Sequence, residues 1–351
     1  MNFLAELWFA IAAAMLTAYV VLDGFDLGAG ALHAFVARTD QERRQVLAAI
    51  GPYWDGNEVW LIATGGALFV AFPSVLASGL SGFYFAIFLV LWCLLLRGIS
   101  IEFRSHLEHS LWRTAWDFVF CAASTALPIL FGAALGNLLR GLPIDASGYF
   151  SLALFTDFSA RQPVGILDWY TVMAGIFGLV AVAGHGGAFL AWKTDGKVQE
   201  RSRQAALWLY SSVAGLWPLA TLLTGLVNTD LFSALPARPL AWLSLLVAIT
   251  GLVSVGLCLR ARRDFLAFLG SCAFLAGMLA ATAACVFPVM LRAVDDDARS
   301  LTAYNASVPA ASLQTALAWW VVALPLAVVY FVTVFRIHRG KAVAASGRDG
   351  Y

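Results

Sequence analysis

Apolar runs of membrane-spanning length alternate with short polar links along almost the whole chain. Nine such runs stand out, at residues 4–36, 52–73, 77–100, 114–138, 167–192, 205–227, 240–260, 264–290 and 313–336. A helix needs roughly 20 mostly apolar residues to cross a hydrocarbon core about 30 Å thick. The pattern therefore predicts an all-α integral membrane protein with nine transmembrane helices. The first run, over-long at 33 residues, would extend about 50 Å at about 1.5 Å per residue, so it should tilt or project beyond the bilayer. The second is the least apolar, because WDGNEVW places two acids at its start.

The polar links carry a second pattern. Arg38, Arg43 and Arg44 follow the first run, and Arg104 and Arg113 follow the third, with Arg97 just inside it. Lys193, Lys197, Arg201 and Arg203 follow the fifth, and Arg260, Arg262 and Arg263 the seventh. Arg336, Arg339 and Lys341 follow the ninth. Links 139–166, 228–239 and 291–312 hold few basic residues, and the last contains Asp295, Asp296 and Asp297. Basic links collect on the cytoplasmic side. All five fall on one side only if 52–73 crosses, which puts the N-terminus outside and the C-terminus in the cytoplasm. The expected organisation is a first helix group over 1–140 and an extracytoplasmic loop over 141–166. A second helix group over 167–340 and a cytoplasmic tail over 341–351 complete it.

Composition agrees with membrane residence. The chain is 61% hydrophobic and 12% charged, about half the charge of a soluble domain. A net charge of +1 and the lack of a basic patch give no sign of a nucleic-acid partner. Cys93, Cys121, Cys258, Cys272 and Cys285 all lie in apolar stretches and read as small buried hydrophobes. The first run carries Asp23 and Asp26 and continues past signal-peptide length, so it reads as a retained helix.

Ionisable groups at membrane depth cost roughly 2.5–3.5 kcal/mol each on insertion scales, which marks them as functional candidates. Asp23 and Asp26 stand at i and i+3, on one face of a helix. Pro52 suits a helix start and Asp55 its first turn, where the helix dipole favours an acid. Trp54 and Trp60 suit an interfacial belt. Glu58, one turn deeper and followed by LIATGGALFVAF, is poorly explained by anchoring. A buried carboxylate there wants a proton, a cation or water. Spacing alone leaves proton conduction and a structural polar network both open. Arg97 can pair with Glu102, snorkel to the interface, or face a carboxylate on a partner. Of five histidines only His185, in GHGG, is plausibly well within a run, where packing is the commoner role. No haem ligation by this chain is expected, nor any metal site, and no nucleotide or nucleophile motif appears. Intramembrane acids and Gly-interrupted helices also suit a secondary transporter, the rival reading.

Several stretches bring a known family into view. LDGFDLGAG (22–30), TDQERR (39–44), GPYWDGNEVWLIATGGALFVAFP (51–73), SGFY (81–84), LRGISIEFR (96–104), WRTAWD (112–117) and FGAALGNLLRGLP (131–143) resemble subunit II of cytochrome bd-type quinol oxidases in order and spacing. HGGAFLAWKTDG (185–196), FPVM (287–290) and LTAYNAS (301–307) continue the likeness more weakly. After FPVM the chain reads Leu291-Arg292-Ala293-Val294, where members often carry Pro-Ser-Ser.

The resemblance implies two four-helix bundles plus a peripheral helix in the bacterial inner membrane. It implies a haem-bearing subunit I holding haems b and d, and leaves room for single-helix accessory subunits and a structurally bound quinone. The complex would oxidise quinol and reduce O₂ to water with cytoplasmic protons. This chain would be its haem-free core subunit, with no active site of its own. By resemblance Asp55 matches the family's proton-pathway acid and Asp26 a second acid of that region, while Glu58 stands where some relatives carry Gln. Asp23 belongs to the same expected pathway. Trp54, Asn57, Trp60, Arg97, Glu102 and Arg104 are expected at the subunit interface or near a haem propionate.

Overall fold

A computed structural model describes residues 2–156, 158–159, 164–233 and 235–343. Parts of the expected 141–166 loop and residues 344–351 of the expected tail lie outside these. Among the described residues the chain is twelve α-helices and one small hairpin. They are α1 (Asn2–Val36), α2 (Asp40–Ile50), α3 (Trp54–Ala71), α4 (Pro73–Gly82), α5 (Tyr84–Phe103), α6 (Ser110–Arg140), α7 (Trp169–Lys193), α8 (Gly196–Val227), α9 (Thr229–Ser233), α10 (Pro239–Arg260), α11 (Asp264–Val286) and α12 (Ala310–Ile337). Strands β1 (Val289–Leu291) and β2 (Leu301–Thr302) pair antiparallel.

Eight of the helices are long and apolar enough to cross a membrane: α1, α5, α6, α7, α8, α10, α11 and α12. The expected second span, α3, has 18 residues, but Asp55, Asn57 and Glu58 dilute the apolar character of its first two turns. It still runs antiparallel to α1 over most of a bilayer's depth. Asn57 near its start bonds to Leu22 and Asp26, while Ala71 at its end packs with Trp8, Ile11 and Met15.

The expected third span, 77–100, is divided. Pro73 opens a separate short helix, α4, which stops at Gly82, and α5 begins beyond Phe83. Proline at a first helical position is favourable because its missing N–H is not needed there. Several helices also outrun their apolar runs: α6 starts at Ser110 and α8 at Gly196. Charges end a hydrophobic window but do not end a helix, which can continue into water.

α1 sits centrally, packed against α3, α6, α7 and α11, with α5 against α6. The approach of α1 to α7 is close enough that a Cβ on Gly28 would strike the Val182 carbonyl, and one on Gly186 the backbone of Ala29. Small residues on both helices thus let the backbones touch, a usual device where lipid supplies no hydrophobic drive. α7 also packs against α8, and α10 pairs with α11. α12 lies at the periphery against α3 and α1, with only Leu313 buried. At the N-terminal end of α1, Trp8 donates to Leu313 O at 3.1 Å, and Leu142, Ile144, Phe150 and Leu291 close over it.

Candidate functional site

Three of the four pathway acids read from the sequence, Asp23, Asp26 and Glu58, gather near a single arginine. Asp23 and Asp26 on α1, Asn57 on α3 and Arg97 on α5 are all essentially inaccessible. Arg97 Nη1 donates to Asp23 Oδ1 at 2.6 Å, and its Nη2 reaches Glu58 Oε2 at 3.4 Å. Asn57 Nδ2 donates to Asp26 Oδ2 at 2.7 Å and to Leu22 O at 3.2 Å. Asp23 Oδ2, Asp26 Oδ1, Asn57 Oδ1 and Arg97 Nε have no hydrogen-bond partner in the chain. Buried polar atoms are nearly always paired, so this cluster has unused capacity for protons or water. The hydroxyl of Tyr19, one turn before Asp23, is buried beside that carboxylate. Nothing in the sequence had pointed to it, because a tyrosine in an apolar run looks like packing.

The exposed side of the same cluster lies on α3. Asp55 is exposed in its first turn and Glu58, a turn deeper, is half-buried. The Trp54 ring lies against Gly98 of α5. Trp60 is half-buried with its ring centroid 5.9 Å from that of Phe331. Glu102 is exposed on the last turn of α5. Arg97 therefore pairs with Asp23 and Glu58 rather than with Glu102, and its guanidinium is turned into the helix group instead of snorkelling.

Arg104, two turns further along the same face of α5, belongs to a second cluster. Its Nε donates to Asp117 Oδ1 at 2.5 Å and its Nη2 to Asp40 Oδ1 at 2.8 Å. Asp117 also bonds to His33 Nε2 and Arg43 Nη1, both at 2.8 Å. Arg113 and Arg44 hold the other oxygen of Asp40 at 3.1 and 3.0 Å. This lattice ties α1, α2, α5 and α6 together at the basic end. Burial pushes the Asp40 carboxyl up, but hydrogen bonding and charge from Arg104, then the charge of Arg113, outweigh it and hold it below its ordinary value. Asp117, the last residue of WRTAWD, is a site residue that the sequence reading misses. Its signal is an acid two turns into an otherwise apolar helix.

His185 is fully buried, and both ring nitrogens are engaged, with Ser271 Oγ at 2.7 Å and Val21 O at 2.8 Å. Its ring stacks on Phe268, centroids 5.3 Å apart. An axial ligand needs a free ring nitrogen, so this histidine does not fit a haem site as it stands. It locks α7 to α1 and α11. Among the described residues no three His, Cys, Asp or Glu side chains are arranged to hold a metal ion.

The geometry can be set beside known proteins. The family described as cytochrome bd terminal oxidase subunit II matches residues 4–338. The Escherichia coli K12 protein named cytochrome bd-I ubiquinol oxidase subunit 2 is 36% identical over 217 residues. That match covers 60% of this chain and 56% of the relative, so little more than half of the relative is spanned. A Haemophilus influenzae protein named probable cytochrome oxidase subunit 2 is 28% identical over 94% of this chain and 93% of its own length. A solved bd oxidase from Geobacillus thermodenitrificans superposes with a TM-score of 0.76 at 16% identity, covering 97% of this chain and 99% of that one. The likeness to that structure is one of fold.

Proposed function

Since the chain belongs to the cytochrome bd terminal oxidase subunit II family, we propose that it is the haem-free core subunit of a quinol-oxidising, O₂-reducing complex, and that its buried acids pass protons towards a haem-bearing subunit I. Quinol oxidation, the haems b and d of the partner, accessory helices and any structurally bound quinone belong to this proposal. So do nine crossings, two four-helix bundles with α12 peripheral, and a bacterial inner membrane with the basic links in the cytoplasm. The family match leaves a secondary transporter without a supporting observation.

The observation that carries the proton reading is a charge imbalance. Arg97 bonds Asp23 and reaches Glu58, while Asp26 beside them is held by Asn57 and pairs with no cation among the described residues. A low-dielectric interior does not hold surplus negative charge without protons, cations or water. Arg97 fixes Asp23, while Asn57 orients Asp26 and leaves one of its oxygens free to exchange a proton. Exposed Asp55 and half-buried Glu58 form the approach along α3, with Trp54, Trp60 and Glu102 flanking it on the surface offered to the partner.

Asp55→Asn is the test. In complex that assembles with its full haem complement, quinol-dependent O₂ consumption should fall at least fivefold, while assembly and the haem spectrum stay as in the parent. Unchanged turnover in fully assembled complex would remove Asp55 from the proton route.

A further inference from the structure

A large cavity among the described residues lies apart from the acids. It has a volume of about 1020 Å³ and opens where α1, α3, α5 and α6 meet α11 and β1. Its walls begin at Thr17 and Leu94, short of Asp23 and Arg97, and extend towards the N-terminal end of α1. Along α5 the lining runs from Phe83 to Leu94. Eleven steps of about 1.5 Å give about 16 Å, roughly half of a 30 Å hydrocarbon core. The cleft is thus about one leaflet deep.

Its chemistry is graded along that depth. The walls are apolar, with Phe9, Leu16, Leu130, Phe131 and Leu279 facing in. Polar side chains collect at the closed-over end, where Arg292 pairs with Asp230 at 2.7 Å. Arg238 stands beside them, half-buried. It donates to the Ala284 carbonyl and lies over the Phe287 ring, 5.9 Å from the centroid. No carboxylate pairs with it among the described residues.

We propose that this cleft binds one phospholipid, with its acyl chains along the apolar walls and its phosphate facing Arg238. The volume stands at the top of the range of about 300–1,000 Å³ for sites of small ligands. A polar solute would leave its hydrogen bonds unmade against these walls. Water does not fill an apolar cavity, and an empty one forfeits the dispersion contacts of its lining. An amphiphile one leaflet long meets both demands. The anion is set by Arg238: a guanidinium without a carboxylate matches phosphate oxygens in charge and in donor geometry. A neutral isoprenoid head leaves that charge unmet.

The glycines of the cleft provide the test. A Cβ on Gly65 or Gly79 meets nothing within 4 Å and both glycines line the cleft, so Gly65→Leu with Gly79→Leu puts side chains into its space. The intact complex, purified in mild detergent, is analysed by native mass spectrometry with a phosphorus assay on the extract. The parent should carry a retained phospholipid adduct on this chain, and the double variant should lose it at least fivefold. After delipidation, Arg238→Gln should rebind dioleoyl phosphatidylglycerol at least fivefold more weakly than the parent. Equal adducts in parent and double variant would overturn the proposal. So would an adduct that proves to be an isoprenoid quinone, or undiminished rebinding by Arg238→Gln.

Discussion

The pair of Asp23 and Arg97 shows how a buried charge is tolerated. Arg97 is fully enclosed, yet two of its nitrogens meet carboxylates. Removing one member of a buried pair costs about 3–5 kcal/mol, because the other is left uncompensated, whereas replacing both is far milder. Arg97→Gln should therefore destabilise the complex markedly, because it leaves Asp23 and Glu58 without their cation, and Arg97→Gln with Asp23→Asn should recover part of the loss. Thermal melting of the purified complex measures both. Equal melting points for the single and double variants would show that the pair is not what holds these residues. The sequence announced the charges here, since acids at i and i+3 in an apolar run are conspicuous. It could not announce the partner, which lies 74 residues away and is chosen by how α1 and α5 pack. The meeting of His33, Asp117 and Arg104 was hidden for the same reason: each lies in a different segment, and they come together only once three helices converge.

At the level of elements, apolar runs located the helices well but their ends poorly. The link at 37–51 reads as a basic connection, yet it folds into α2. Thr39 caps that helix reciprocally with Glu42, a capping-box spacing that is present in TDQE. α2 is then held by Asp40, through Arg104, Arg44 and Arg113. The Asp40 carboxyl lies below its ordinary value. A carboxyl lowered by folding contributes stability that is fully present above the unfolded value, near 3.9, and is lost as pH falls through the folded value. The protection of the α2 backbone amides, taken relative to their intrinsic exchange rate at each pH, should accordingly fall as the pH is lowered below about 4. Asp40→Asn should weaken α2 at neutral pH and flatten that pH response. Identical exchange profiles for parent and variant would place the anchoring elsewhere, in the Arg201–Glu42 pair at 2.9 Å for instance.

For the whole molecule the open quantity is the parity of crossings, and α3 decides it. Its 18 residues reach about 27 Å at about 1.5 Å per residue, just short of a 30 Å core. It descends beside α1 from Asp26 to Trp8, so the chain that leaves the basic end at Tyr53 arrives at the opposite end at Phe72. Its acids do not prevent this. Asn57 is buried against α1 and Glu58 against Arg97, so the polar first turns meet polar partners rather than lipid. With α3 crossing, four crossings separate the N-terminus from Ser147 and the two lie on the same side. Without it they lie on opposite sides. In a cysteine-free background, Ser147→Cys should react with a membrane-impermeant thiol reagent on intact cells. Glu200→Cys should react only after permeabilisation. An N-terminal epitope should be accessible on the Ser147 side and a C-terminal one on the Glu200 side. Finding the N-terminus with Glu200 would reduce the count to eight, and would leave Asp55 and Glu58 on a helix that enters the membrane without crossing it. The proton approach along α3 would then have no defined side from which to draw.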